Sequence, residues 1–351
     1  MMKIASVVGA RPNFVKLAPV SKALRREFDE IIIHTGQHYD YEMNKIFFDE
    51  LAIPEPDYHL DVGSGLQGHQ TGEMIKRIEE VLTKEEPDFV LVFGDTNSTL
   101  AGALAAVKMN IRIGHVEAGL RSYNKAMPEE INRVLTDYCS NLLFCPTKTA
   151  AENLKTEGIT SGVHLTGDVM VDALEDAIKI AEKRSKIIDE LGLRSKGYHL
   201  ATLHRAENTN DHDRMKRIVD GLCEVRDLVF PCHPRTEKYL KQYSLWEKLN
   251  DKVLLTKPMG YLDMLVLEKN AKKILTDSGG VQKEAYILKV PCITLRDETE
   301  WVETVEDGWN VLVGADKDEI IEMANGFMPE GEQRRVFGDG NASKMIATIL
   351  T

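Results

Sequence analysis

Three carboxylates in this sequence, Asp95, Glu117 and Glu129, stand where a chain could use them to move protons. Asp95 follows the apolar run Phe89–Phe93 and Gly94, Glu117 closely follows Ile111–His115, and Glu129 comes directly after Pro128. Carboxylates gathered beyond the ends of buried strands can act as general acids and bases at carbon, worth about 10²–10⁴ in rate. Plainer roles compete. Asp95 could cap a helix, and Glu129 with Glu130 could complement the dipole of a helix opened by Pro128.

A second set of residues suits an anion. The run Lys273–Thr276 leads into Asp277-Ser278-Gly279-Gly280-Val281-Gln282-Lys283-Glu284, a strand-to-helix junction with Ser and two glycines at the turn. Glycine lets a ligand approach the backbone, and the unpaired N–H groups of a helix's first turn attract negative charge. The junction therefore reads either as a diphosphate site or as a capped helix after a tight turn. In the first case Glu284, one to two turns in, would accept a pair of sugar hydroxyls. Arg11 and Lys16 follow Ile4–Val8, while His204 and Arg205 end His199–Leu203. Arg brings a planar fork and Lys a mobile point charge to a phosphate; taken singly, each is more often a solvated surface cation.

These groups need strands to place them. Continuously apolar runs at Ile4–Val8, Ile31–His34, Phe89–Phe93, Ile111–His115 and Leu142–Cys145 form one series. His199–Leu203, Leu228–Pro231, Val253–Leu255, Lys273–Thr276 and Cys292–Leu295 form another. Helical patterns such as Thr71–Leu82, Ala173–Leu191 and Met215–Val225 lie between them. Parallel strands covered on both faces have this unbroken apolar character. Alternation of strand and helix predicts an α/β protein with doubly wound parallel sheets, whose ligands sit beyond the carboxyl ends of the strands. The pattern pauses near Gly167-Asp168-Val169, which predicts domains at 1–168 and 169–336.

Composition narrows the function. The 351 residues carry a formal charge of −12, which excludes a general nucleic-acid surface. No segment has the roughly twenty apolar residues of a membrane span, and the five cysteines include no C-x-x-C pair. Reduced thiols and a cytoplasmic location are expected. His34, His38, His69, His115 and His233 lack the paired spacing of a zinc site, so no metal is expected. Gly63-Ser64-Gly65-Leu66-Gln67-Gly68 fits G-x-G-x-x-G, but Asp88 precedes the next strand instead of ending it. We read those glycines as a flexible loop before a helix and expect no nicotinamide.

The same segments resemble the non-hydrolysing UDP-N-acetylglucosamine 2-epimerases, members of the GT-B-like superfamily. The resemblance rests on Gly9-Ala10-Arg11-Pro12, Gly94-Asp95-Thr96 and Gly114-His115-Val116-Glu117-Ala118-Gly119-Leu120-Arg121. It rests equally on Pro128-Glu129-Glu130-Ile131-Asn132-Arg133, His204-Arg205-Ala206-Glu207-Asn208 and the Thr276–Glu284 segment. It implies two Rossmann-like doubly wound domains facing across a cleft, with the terminal helix 337–351 returning to the first domain, and a homodimer. It implies that Asp95, Glu117, Glu129 and His204 are catalytic. Arg11, Lys16, Arg121, Arg133, Arg205, Ser278, Gly279, Gly280 and Glu284 would bind a UDP-sugar. A second, regulatory UDP-sugar site would draw on Gln37, His38, His69, Gln70 and His233. The chain departs from well-known bacterial members at Met259, Met264 and Trp301.

The expected reaction is reversible C2 epimerisation of UDP-N-acetylglucosamine to UDP-N-acetylmannosamine, without a cofactor. C2–H is not adjacent to a carbonyl, so the route is anti elimination of UDP, a 2-acetamidoglucal, and re-addition. Alternatives are an epimerase for a UDP-2,3-diacetamido uronic acid sugar, or a glycosyltransferase on the same fold.

Overall fold

The computed structural model describes residues 1–37 and 53–351. Contacts divide the chain into two compact units, Met1–Asp176 with Arg335–Thr351, and Ala177–Arg334. Each is built on one all-parallel sheet, and the class is α/β with Rossmann-like sheets. In the first unit the strands are β1 (Lys3–Val8), β2 (Asp29–His34), β3 (Tyr58–His59), β4 (Phe89–Phe93), β5 (Arg112–Val116), β6 (Leu142–Cys145) and β7 (Val163–Leu165). The second has β8 (His199–Thr202), β9 (Leu228–Pro231), β10 (Leu254–Thr256), β11 (Lys273–Thr276), β12 (Cys292–Thr294) and β13 (Asn310–Leu312).

The spatial orders are β3-β2-β1-β4-β5-β6-β7 and β10-β9-β8-β11-β12-β13. Both grow outward in opposite directions from a central pair, β1 with β4 and β8 with β11. Ile4 pairs with Phe89 and Val7 with Val92 in one, Lys273 with His199 and Thr276 with Thr202 in the other. Such a reversal leaves a crevice beyond the strands' carboxyl ends.

Strand alternation splits the apolar side chains between two layers. Phe89, Leu91 and Phe93 join Phe14, Leu17 and Ile346 on one side of β4, whereas Val90 and Val92 join Met74, Ile78 and Ala103 on the other. The terminal helix Ala342–Leu350 thus belongs to the first unit's core. Asp172 caps it, accepting from Ala342 N at 3.2 Å, Ser343 N at 3.0 Å and Ser343 Oγ at 2.5 Å. In the second unit Leu203, Ile218, Phe230, Leu275, Ile293 and Ile320 meet in one core.

Several expectations need correction. The helix expected over 173–191 is two, Val169–Arg184 and Ile187–Glu190. Ser185 interrupts it: Oγ donates to Asp263 Oδ1 at 2.5 Å and accepts from Ile187 N at 3.3 Å, competing with the backbone ladder. The glycine-rich segment is only partly loop, because Gln67–Glu85 is helical and includes Gly68. β3, β7 and β13 were not legible, being only two or three residues long and partly exposed. The cysteines are free, and burial pushes the Cys145, Cys232 and Cys292 thiols up to about 12, as packing residues. Among the described residues no helix is long and apolar enough to cross a membrane.

Candidate active site

In the first unit, the residues following β1, β4 and β5 are stitched together. Asn13 Nδ2 donates to the Phe93 carbonyl at 2.8 Å, and Asn13 Oδ1 accepts from Thr96 Oγ1 at 3.1 Å. Asn13 lies in the helix Arg11–Leu24, whose early Pro12 suits a helix start. Arg11 enters here only as the first residue of that helix. One turn on, Lys16 Nζ reaches Glu117 Oε1 at 2.6 Å, with both side chains more than nine-tenths buried.

Two backbone features make this pair. Glu117 has φ of +74°, unusual for a side chain with a Cβ. Its N–H and that of Ala118 both donate to the Phe144 carbonyl at 3.1 Å, which holds the turn. Gly94 has φ of +65°, and a Cβ there would lie 2.9 Å from Lys16 Nζ. Glycine therefore makes the room that the pair occupies.

Asp95 is held from the helix Pro128–Cys139. Arg133 Nη2 donates to Asp95 Oδ2 at 2.6 Å, and Asn132 Nδ2 to the Asp95 carbonyl at 2.9 Å. Asp95 is not the cap of the following helix; Thr96 is, accepting from Thr99 N. Burial alone would lower the proton affinity of Arg133, but Asp95, Glu117 and Glu130 outweigh it and raise it. Glu130 accepts from Ser122 N at 2.8 Å, Tyr123 N at 2.9 Å and Arg133 Nη1 at 3.1 Å. Burial opposes its charge, yet these backbone and side-chain donors hold it below the usual carboxylate range. Glu129, its neighbour, is exposed on the first turn of the helix.

Arg121 is buried among protein partners. Its guanidinium is about 1% exposed and engages Asp137 Oδ2, Glu157 Oε2 and the Leu120 carbonyl, each at 2.7 Å. We place it as a brace for its turn. Of the second-site set, Gln37 Oε1 accepts from Ser98 N at 3.1 Å, and Gln70 Oε1 from Asn97 Nδ2 at 2.8 Å. Both meet the start of Asn97–Lys108. His69 is exposed nearby in sequence, and His38 lies outside the described residues.

In the second unit, fully buried Asp277 organises the ends of β8 and β11. It accepts from His204 N at 3.0 Å, Arg205 N at 2.9 Å and Asn208 Nδ2 at 3.1 Å. The His204 ring stands 3.5 Å from Asp277 Oδ1 and 5.7 Å, centroid to centroid, from the His233 ring. Burial lowers the pKa of His204; Asp277 opposes this, and Arg205 and Arg235 add to it. His233 caps the helix Pro234–Gln242 through its own ring, accepting from Arg235 N.

Ser278 caps Gly279–Ile287, accepting from Val281 N at 3.4 Å. A Cβ on Gly279 would lie 2.0 Å from Glu300 Oε1, whereas Gly280 would meet only Ser278 Oγ, at 3.7 Å. Glu300 is held by Arg296 Nη1 at 2.8 Å, with Arg205 Nη2 at 3.7 Å. Burial opposes its charge, but Arg296 and Arg205 keep its carboxyl below the usual range. Glu284 is buried on the same helix, and Lys283 Nζ lies 4.2 Å over the Trp301 ring. The carboxyl ends of β8 and β11 thus carry helix N–H groups, an imidazole and an arginine, a set suited to a diphosphate.

The profile of the family described as UDP-N-acetylglucosamine 2-epimerase matches residues 22–351. The chain belongs to the UDP-N-acetylglucosamine 2-epimerase family. A Methanococcus maripaludis protein named as a UDP-N-acetylglucosamine 2-epimerase homolog is 61% identical, over 99% of each chain. A Pseudomonas aeruginosa UDP-2,3-diacetamido-2,3-dideoxy-D-glucuronate 2-epimerase is 49% identical, again over 99% of each. The crystal structure of Methanocaldococcus jannaschii UDP-GlcNAc 2-epimerase in complex with UDP-GlcNAc and UDP superimposes with a TM-score of 0.90, at 49% identity over 99% of each chain.

For this epimerase-family chain, sequence reasoning found the strand-end residues but missed Asn13, Glu130, Asn132 and Asp277 as their holders. Each stands within a few residues of a chosen cation or carboxylate. Spacing along the chain does not reveal which of several polar neighbours turns inward.

Proposed function

We propose that the chain reversibly inverts C2 of a UDP-linked 2-acetamido hexose, converting UDP-N-acetylglucosamine to UDP-N-acetylmannosamine. The second unit's Ser278–Gly280 turn, Arg205 and His204 bind and stabilise the diphosphate as the C1–O bond breaks. A carboxylate removes H2; the C–H electron pair forms the C1=C2 bond and UDP leaves with the C–O pair. The 2-acetamidoglucal is then protonated at C2 on the opposite face, and UDP returns to C1. Preorganised donors at the departing oxygen stabilise the charge that develops there.

The observation that carries this reading is the pair of cation-held carboxylates, Asp95 on Arg133 and Glu117 on Lys16, both at 2.6 Å, beyond adjacent strands of a chain in this family. Two separate acids are what inversion through a planar carbon requires. The test is incubation with UDP-N-acetylglucosamine in D₂O, followed by NMR. Loss of the C2–H signal together with growth of the manno epimer is expected. An unchanged donor would end the proposal for this substrate and leave an epimerase of the uronic acid sugar, or a glycosyltransferase lacking its acceptor, as the reading.

The 49% identity to the Pseudomonas relative supports a second substrate, a UDP-2,3-diacetamido uronic acid. Comparing kcat/KM for the two donors decides between them.

A further inference from the structure

His115 is fully buried, with Nδ1 2.6 Å from Asp137 Oδ1 and Nε2 2.7 Å from the Gly94 carbonyl. A carbonyl oxygen only accepts, so Nε2 carries a hydrogen and donates it to the peptide unit that leads into Asp95. Asp137 Oδ2 meanwhile accepts from Gly119 N at 3.2 Å and pairs with Arg121 at 2.7 Å. Asp137 therefore grips the chain two residues before Glu117, through His115, and two residues after it, at Gly119. Between those anchors Glu117 takes its left-handed conformation.

We infer that His115 and Asp137 are positioning residues: one buried dyad that fixes the backbones of both Asp95 and Glu117, with Arg121 securing its outer oxygen. Asp95 and Glu117 follow different strands, and the dyad is a hydrogen-bonded link between their turns. This rests on the assignment of acid–base work to those two carboxylates. A displacement near 1 Å in such groups can cost about 10²-fold in rate.

The test has two arms. In the wild-type protein, ¹⁵N NMR of the imidazoles should show His115 Nε2 protonated and hydrogen-bonded to a carbonyl; an unprotonated Nε2 overturns the dyad whatever the activity. In His115→Gln, kcat and C2–H exchange should fall together by about 10²-fold, with UDP affinity from calorimetry and KM little changed. Should His115→Gln fail to bind UDP, Asp137→Ala replaces it, since alanine removes both the partner of His115 Nδ1 and the acceptor for Gly119 N. A kcat loss at retained UDP affinity supports the dyad, and wild-type kcat in either folded variant overturns it. Absence of exchange in the wild-type protein would refute the reaction instead, leaving the NMR arm to judge the dyad.

Discussion

Lys16 Nζ lies 2.6 Å from Glu117 Oε1, in surroundings that leave less than a tenth of either side chain in water. A buried pair of this kind makes removal of one partner costly, by about 3–5 kcal/mol, because the other charge stays behind. Lys16→Met should therefore destabilise the protein by about 3 kcal/mol in urea unfolding. Adding Glu117→Gln should recover part of that loss, with a coupling of about 1–3 kcal/mol. Additive single effects would show that the pair is not formed in solution.

Asp95→Asn keeps the shape of the side chain and removes the acid. It should depress C2–H exchange by about 10²–10⁴-fold while leaving UDP binding intact. Undiminished exchange takes Asp95 out of the chemistry and leaves its contact with Arg133 as a structural one.

Burial holds His204 below the ordinary histidine value of 6.5. The unfolded chain therefore binds that proton at a higher pH than the folded protein does. The stability associated with the neutral ring is complete above about pH 6.5 and is lost as the pH falls below it. An NMR titration of the ligand-free protein should place the His204 midpoint below 6.5. His204→Gln should lose less stability on acidification than the wild type. A midpoint above the ordinary value would mean that Asp277, not burial, governs the ring.

Gly279→Ala would set a methyl group 2.0 Å from Glu300 Oε1, forcing that carboxylate and its Arg296 and Arg205 contacts to shift. UDP binding should weaken about tenfold, near 1.4 kcal/mol, as read by calorimetry. Unaltered affinity would show that the diphosphate does not depend on this junction.

The sheet scaffold was legible because both sheets are parallel and buried: Phe89–Phe93 is apolar at every position, and all five residues are inaccessible or nearly so. The strand ends then pointed to Asp95, Glu117, His204 and the Ser278 turn. What could not be read was the phase of a helix. Glu129 and Glu130 are adjacent in sequence, but successive helical residues point about 100° apart. One is consequently exposed and the other buried against Arg133. The partners of Arg121 were illegible for a related reason, since a cation in a turn gives no sign that Asp137 and Glu157 will engage its donors.

The first unit is assembled from two stretches of chain separated by the whole of the second. During synthesis Phe14, Leu17 and Val20 must wait for Ile346 and Leu350 to emerge before their layer can close. The second unit, continuous in sequence, faces no such delay. Vectorial folding on the ribosome would thus complete the continuous unit ahead of the divided one, whose earlier layer stays open until the last residues emerge.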